Sequence, residues 1–85
     1  MKEWYTYIVE CSDGTLYTGI TNDIDKRIKQ HNAGKGAKYT RSRCPVTLMC
    51  KIPVSNRSEA SKLEHKIKKL SRADKFALIW GESLL

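Results

Sequence analysis

Residues 4–20 read Trp4-Tyr5-Thr6-Tyr7-Ile8-Val9-Glu10-Cys11-Ser12-Asp13-Gly14-Thr15-Leu16-Tyr17-Thr18-Gly19-Ile20. How this stretch turns decides both the fold and whether its tyrosines share a site. Aromatic and β-branched residues crowd its two halves, so Trp4 to Cys11 and Thr15 to Ile20 are expected as the strands of a hairpin. A two-residue turn at Asp13-Gly14 would send Tyr7 and Tyr17 to opposite faces, because successive strand residues alternate. A three-residue Ser12-Asp13-Gly14 loop, with Gly14 in the left-handed region, instead sets Cys11 against Thr15, Val9 against Tyr17 and Tyr7 against Gly19. Tyr7 and Tyr17 then become diagonal neighbours on one face, about 7–8 Å apart at the backbone. Gly19, opposite Tyr7, is expected to leave open space for a phosphate. Two tyrosines on a strand are by themselves ordinary packing, so their meaning depends on the residues that the rest of the chain brings to them.

The rest of the chain reads as α-β-α-α. Asn22-Asp23 opens a helix running to about Asn32, with Asp23 and Asp25 suited to its positive end and Gly34 to its termination. Ile24 and Ile28 mark its apolar face, with Arg27 and His31 at the edge. Val46, Leu48, Cys50, Ile52 and Val54 alternate, which predicts a third strand with Pro53 near its end. Asn56-x-x-Glu59 resembles a capping box for a helix to about Leu70 with the core stripe Ala60, Leu63, Ile67 and Leu70. Ser71 is suited to capping a last short helix using Ala73, Phe76, Ala77 and Trp80. The fold class expected is therefore α+β, a small three-stranded antiparallel sheet flanked by helices in the order β-β-α-β-α-α.

At 85 residues and 40% hydrophobic content, residues 1–85 are expected to form one domain with one core. No apolar run approaches the ~20 residues of a membrane span, and no signal-peptide pattern is present, so a cytoplasmic protein is expected. Cys11, Cys44 and Cys50 form no C-x-x-C motif and leave an odd cysteine under any pairing, which favours reduced thiols. Zinc on these with His31 and His65 lacks the usual spacing.

The net charge of +7 is unevenly distributed. Residues 1–25 hold one lysine against five acids, whereas residues 26–51 hold eight Lys or Arg and no acid. Such a block predicts a polyanionic partner, with nucleic acid first. The glycine-containing loop 33–45 supplies Lys35, Lys38, Arg41 and Arg43 as candidates to grip a phosphate backbone without reading sequence. Its spacing is not that of a Walker loop. An anionic membrane surface is disfavoured, because no cationic helix shows exposed large apolar residues.

Glu64 sits beside Leu63 and three residues before Ile67, bordering the apolar stripe of its helix. A carboxylate there needs a cation or donors to meet it. Lys68 at i+4 is one candidate; a hard metal such as Mg2+, which often takes only one or two carboxylates and keeps its waters, is another. Phenols to handle a water proton, a guanidinium for phosphate and a carboxylate for a metal together suit phosphodiester hydrolysis.

Tyr5-Thr6-Tyr7, Tyr17-Thr18-Gly19, Arg27, His31 and Glu64, in this order and spacing, resemble the GIY-YIG nuclease domain in its short stand-alone bacterial form. The resemblance covers roughly residues 3 to 79. It implies Mg2+-dependent (or Mn2+-dependent) hydrolysis of DNA, with selectivity for DNA structure left open, and a link to DNA repair. Carried over to this chain, it makes Tyr7 and Tyr17 the two site tyrosines, Arg27 the phosphate-binding arginine, His31 a site histidine and Glu64 the metal ligand. The expected roles are Tyr17 as proton acceptor, helped by Tyr7 or His31, and Arg27 as stabiliser of the pentavalent phosphate. A free tyrosine ionises near pH ~10, so that role demands nearby positive charge from Arg27 or the metal.

The chain also departs from the family pattern. Only the last residue of the first motif matches, Ile20 stands where repair-type members carry lysine, and Phe76 to Trp80 contain no asparagine. These departures keep a second expectation in view: a nucleic-acid-binding module on the same fold with little turnover, serving as an adaptor to a protein partner.

Overall fold

A computed structural model describes residues 3–81. Among them the chain runs β1 (Trp4–Glu10), β2 (Leu16–Thr21), α1 (Ile24–Asn32), a 3-10 turn (Lys38–Thr40), β3 (Thr47–Val54), α2 (Arg57–Lys68) and α3 (Arg72–Ile79). The strands form one antiparallel sheet ordered β2-β1-β3, so β2 is an edge. No helix among the described residues is long and apolar enough to cross a membrane.

The hairpin turns through the three-residue loop. The Cys11 N–H donates to the Thr15 carbonyl at 2.8 Å, the Gly14 N–H donates to the Cys11 carbonyl at 2.9 Å, and Gly14 has φ +83°. Only glycine adopts that angle without a Cβ penalty. Asp13 Oδ1 accepts from the Thr15 N–H at 3.1 Å and from its hydroxyl at 2.6 Å, which locks the loop. Tyr7 therefore pairs with Gly19 and Val9 with Tyr17, putting both tyrosines on one face.

The third strand departs from simple alternation. Ile8 pairs with Cys50 but Val9 pairs with Leu48, so Met49 is an extra residue and the register shifts there. Leu48 thus packs with Val46 on the α1 face, while Cys50 shares the face of its partner Ile8. The apparent period of two from Val46 to Val54 hides a change of face. The bulge lets one strand serve both sides of the sheet.

Each helix begins on a side-chain cap: Asp23 accepts from the Lys26 N–H, Asn56 from the Glu59 N–H and Ser71 from the Asp74 N–H. Only half of the expected capping box forms, because the Glu59 carboxylate lies 3.5 Å from Lys62 Nζ. Gly34, at φ +74°, ends α1, and the Lys35 N–H reaches back to the Gln30 carbonyl at 2.9 Å.

The sheet buries two unlike faces. Tyr7, Val9, Cys11, Ile24 and Val46 form a buried cluster on the α1 side, with Tyr5, Tyr17, Ile28 and Leu48 packed against it. On the other side α2 lies mainly across β1 and β2, burying Ile8, Ala60 and Ile67 completely. There the Thr6 hydroxyl donates to the Ala60 carbonyl at 2.8 Å, tying helix to strand.

Candidate functional site

Tyr7 and Tyr17 rise from the sheet toward α1, which supplies Arg27 and His31 on its inward side. His31 sits between the two rings, edge-on to Tyr7 with centroids 5.9 Å apart and to Tyr17 at 5.6 Å. Tyr7 and His31 are both fully buried, whereas Tyr17 and Arg27 remain half-buried. Burial of polar groups at this density is costly unless each is satisfied, and here each is.

The hydrogen bonds have a direction that can be assigned by elimination. Thr40 carries one hydroxyl hydrogen and donates it to the Ala37 carbonyl at 2.9 Å, so it accepts from His31 Nδ1–H at 2.7 Å. His31 Nε2 is then the free lone pair of a neutral ring and accepts the Tyr7 O–H at 2.8 Å. The Tyr7 oxygen in turn accepts from Arg27 Nε–H at 3.4 Å. A chain Arg27, Tyr7, His31, Thr40 thus runs from the surface into the core. Burial, with the nearby Arg27 charge, pushes the His31 pKa below its ordinary value, and burial raises that of Tyr7 against the lowering effect of Arg27. Both groups are neutral at pH 7.

The space above Gly19 is occupied, contrary to expectation. A Cβ there would lie 2.6 Å from the Tyr7 hydroxyl and 3.1 Å from the Tyr17 ring. Gly19 is needed because the Tyr7 side chain crosses over it, not because a ligand enters. Gly36 is similarly forced, since a Cβ at this position would overlap His31 Nδ1.

The basic loop therefore does two jobs. Gly36 and the fully buried Thr40 close over His31, while Lys35, Lys38 and Arg41 stay on the accessible side. Arg43 is occupied within the protein: Nε donates to Asp13 Oδ2 at 3.0 Å, one terminal nitrogen donates to the Tyr39 carbonyl at 2.8 Å, and the guanidinium lies 4.1 Å from the centre of the Tyr39 ring. Tyr39 stacks on Tyr17 with centroids 5.9 Å apart. Asp13, Arg43 and Tyr39 thus brace one side of the Tyr17 ring.

Glu64 comes from the other face of the sheet. Its carboxylate lies 3.2 Å from Lys68 Nζ, with the glutamate side chain 21% exposed. No cluster of three or more His, Cys, Asp or Glu able to hold a metal occurs among the described residues. A single partly exposed carboxylate is a donor of the kind Mg2+ or Mn2+ takes, with waters filling the remaining positions. The three cysteines are free thiols, and burial raises the pKa of Cys11 and Cys50.

This geometry has relatives. The profile of the GIY-YIG catalytic domain matches residues 3–77. The chain belongs to the GIY-YIG family. The family is one of nucleases, and the chain is 55% identical over 74 residues to a UPF0213 protein of Halobacterium salinarum, covering 87% of this chain and 96% of that one. It is 49% identical over 79 residues to a UPF0213 protein of Staphylococcus haemolyticus, covering 93% and 96% of the two chains. Among solved structures, the solution NMR structure of a UPF0213 protein from Bacillus halodurans aligns with TM-score 0.58 at 48% identity, covering 91% of this chain and 82% of that one. A protein of E. faecalis, also solved by NMR, aligns with TM-score 0.59 at 42% identity, covering 88% and 80%.

Within this GIY-YIG domain, the sequence pointed to Tyr7, Tyr17, Arg27 and His31, and the structure brings all four together. It did not point to Thr40, Gly36 or Tyr39. Their only sequence signal is that a glycine, a threonine and an aromatic interrupt a basic loop.

Proposed function

We propose that this protein is a metal-dependent endonuclease that hydrolyses phosphodiester bonds in DNA. The observation carrying this reading is the buried chain Arg27, Tyr7, His31, Thr40 lying beneath the more accessible Tyr17. A fold of this size gains nothing from burying a histidine and a tyrosine hydroxyl that hydrophobic residues would replace, so the polar chain points to a task.

Burial divides the labour. Tyr7 and His31 do not reach solvent, so they act as positioning residues, fixing Arg27 Nε; one terminal nitrogen of Arg27 donates to Gln30 Oε1 at 3.2 Å, and the other is left for the phosphate. Tyr17 is the phenol with access to water. In the proposed step the Tyr17 phenolate takes a proton from water as the water oxygen bonds to phosphorus, and the opposite P–O ester bond breaks, its oxygen leaving and taking a proton from solvent. Arg27 stabilises the charge that gathers on the phosphoryl oxygens. A divalent ion held by Glu64 would supply Lewis acidity to the leaving oxygen. Lys35, Lys38 and Arg41 hold the flanking backbone.

The competing reading is a nucleic-acid-binding module, and one observation favours it: Glu64 already has a cation in Lys68. Incubating the purified protein with plasmid, branched and single-stranded DNA, in Mg2+, Mn2+ or chelator, separates the two. Metal-dependent cleavage that is lost in Tyr17→Phe supports the nuclease. Salt-sensitive binding with no cleavage in either metal replaces it with the module.

A further inference from the structure

Beside the site, a concavity of about 310 Å³ opens between the first turns of α1 and α2, and Arg27 lines it. Lys26 of α1 and Arg57 of α2 line it too, with Trp4, Ile20 and Asn22. Arg57 is the first residue of α2, behind the Asn56 cap. Helix physics opposes a cation there, because the unpaired N–H groups of the first turn already make a positive end. The Arg57 guanidinium lies over the Trp4 ring, 5.9 Å from the ring centre. Asp23 is the acid that borders the same concavity, and its side chain caps α1. Three cations therefore converge on a hollow bordered by one acid, and one of them sits where it costs the fold stability.

We infer that this concavity is a second phosphate subsite, in which Arg57 and Lys26 take the backbone phosphate next to the one held by Arg27. The inference rests on the nuclease reading and extends it from one phosphate to a strand path. Ligand chemistry favours a phosphodiester: a guanidinium and an ammonium lining one hollow suit a singly charged tetrahedral anion. The Trp4 ring limits the orientations open to Arg57. Arg27, at the junction between the site and this hollow, is the shared wall. A strand bound across both would be held at two successive phosphates, which fixes its direction over Tyr17.

The test is DNA binding in chelator, read by fluorescence anisotropy at several salt concentrations. Wild-type protein is compared with Arg57→Ala, Arg57→Ala/Lys26→Ala and, as a control for net charge, Lys69→Ala. Arg57 and Lys69 are both exposed, so neither change disturbs the core. The subsite requires Arg57→Ala to lower the log–log salt slope on single strands by about 0.7 while Lys69→Ala leaves it unchanged. An oligonucleotide series with one methylphosphonate at each position adds a second readout. Arg57→Ala should erase the binding penalty at one position, adjacent to the position erased by Arg27→Ala. Equal slopes for Arg57→Ala and Lys69→Ala, or a penalty pattern unchanged by Arg57→Ala, would overturn the subsite and leave the nuclease reading intact. If wild-type protein binds no DNA, the nuclease reading falls and takes the subsite with it.

Discussion

The two faces of the sheet are built from one strand, yet they are packed by different rules. On the α2 face Thr6 and Ile8 meet Ala60 and Ile67, and the Thr6 hydroxyl at that contact is satisfied locally by a helix carbonyl. On the α1 face Tyr7 meets His31 and a loop that returns to supply Thr40, so burial includes an ordered line of polar atoms. On the first face, volume-conserving apolar swaps at Ile8 and Ile67 are the changes tolerated best. The second depends on which atom donates to which. The linked buried polar side chains thus lie on the α1 face, while α2, packed on the other face, carries Glu64 and Arg57.

The sharpest way to break this contrast is at its chemical end. Arg27→Ala should cut single-turnover cleavage by roughly a thousandfold, as loss of a guanidinium does at other phosphoryl-transfer sites, while the melting temperature changes little. Glu64→Gln should abolish Mg2+-dependent cleavage and spare DNA binding. Its pair with Lys68 is an i,i+4 contact worth only about 0.3–0.5 kcal/mol, so melting should barely move. Full cleavage by a destabilised Glu64→Gln protein would remove the metal from the account.

Next in size is the structural face. Ile8→Ala removes a fully buried side chain under α2 and should cost about 2–5 kcal/mol in urea unfolding. The rate per folded molecule should remain. A large rate loss in folded protein would show that the packing under α2, and not Glu64 alone, shapes the site.

Thr40→Val sharpens the other face, because it keeps shape and deletes the acceptor of His31 Nδ1–H. A buried donor left unpaired costs about 1–3 kcal/mol. The change should also slow cleavage, since the ring no longer presents Nε2 to Tyr7, and Thr40→Ser should restore the rate. Loss of stability without loss of rate would make Thr40 merely structural.

The smallest effect is in pH dependence. The folded pKa of His31 lies below its ordinary value of 6.5. Above pH 6.5 both folded and unfolded states hold it neutral, so its burial has no pH cost there. As pH falls below 6.5 the unfolded chain binds the proton first, and stability declines until the depressed folded value is reached. Thermal melts between about pH 8 and pH 5 should show this decline, and His31→Gln should flatten it. An unchanged slope in that variant would assign the decline to other groups.

What the sequence determined by itself was local. Gly14 and Asp13 set a three-residue loop and thereby the face shared by Tyr7 and Tyr17. Asp23, Asn56 and Ser71 started the helices, and Gly34 stopped the first. These outcomes depend on groups within a few covalent bonds of one another, where sterics and short hydrogen bonds leave few choices. Tertiary structure alone decided the rest. The extra residue at Met49 changes which alternate residues of β3 face α1, and no alternating pattern announces it. Thr40 and Gly36 became partners of His31 only when the loop folded back, so a loop read only for its basic residues also closes a buried polar chain. Gly19 faced the Tyr7 side chain and not open space, because a side chain's path across a sheet depends on its neighbours' volumes. Arg57 and Arg27 came to line one concavity only when the first turns of α1 and α2 came together beside β2. Such meetings between distant segments depend on packing the whole molecule at once, and packing has no short-range code in the chain.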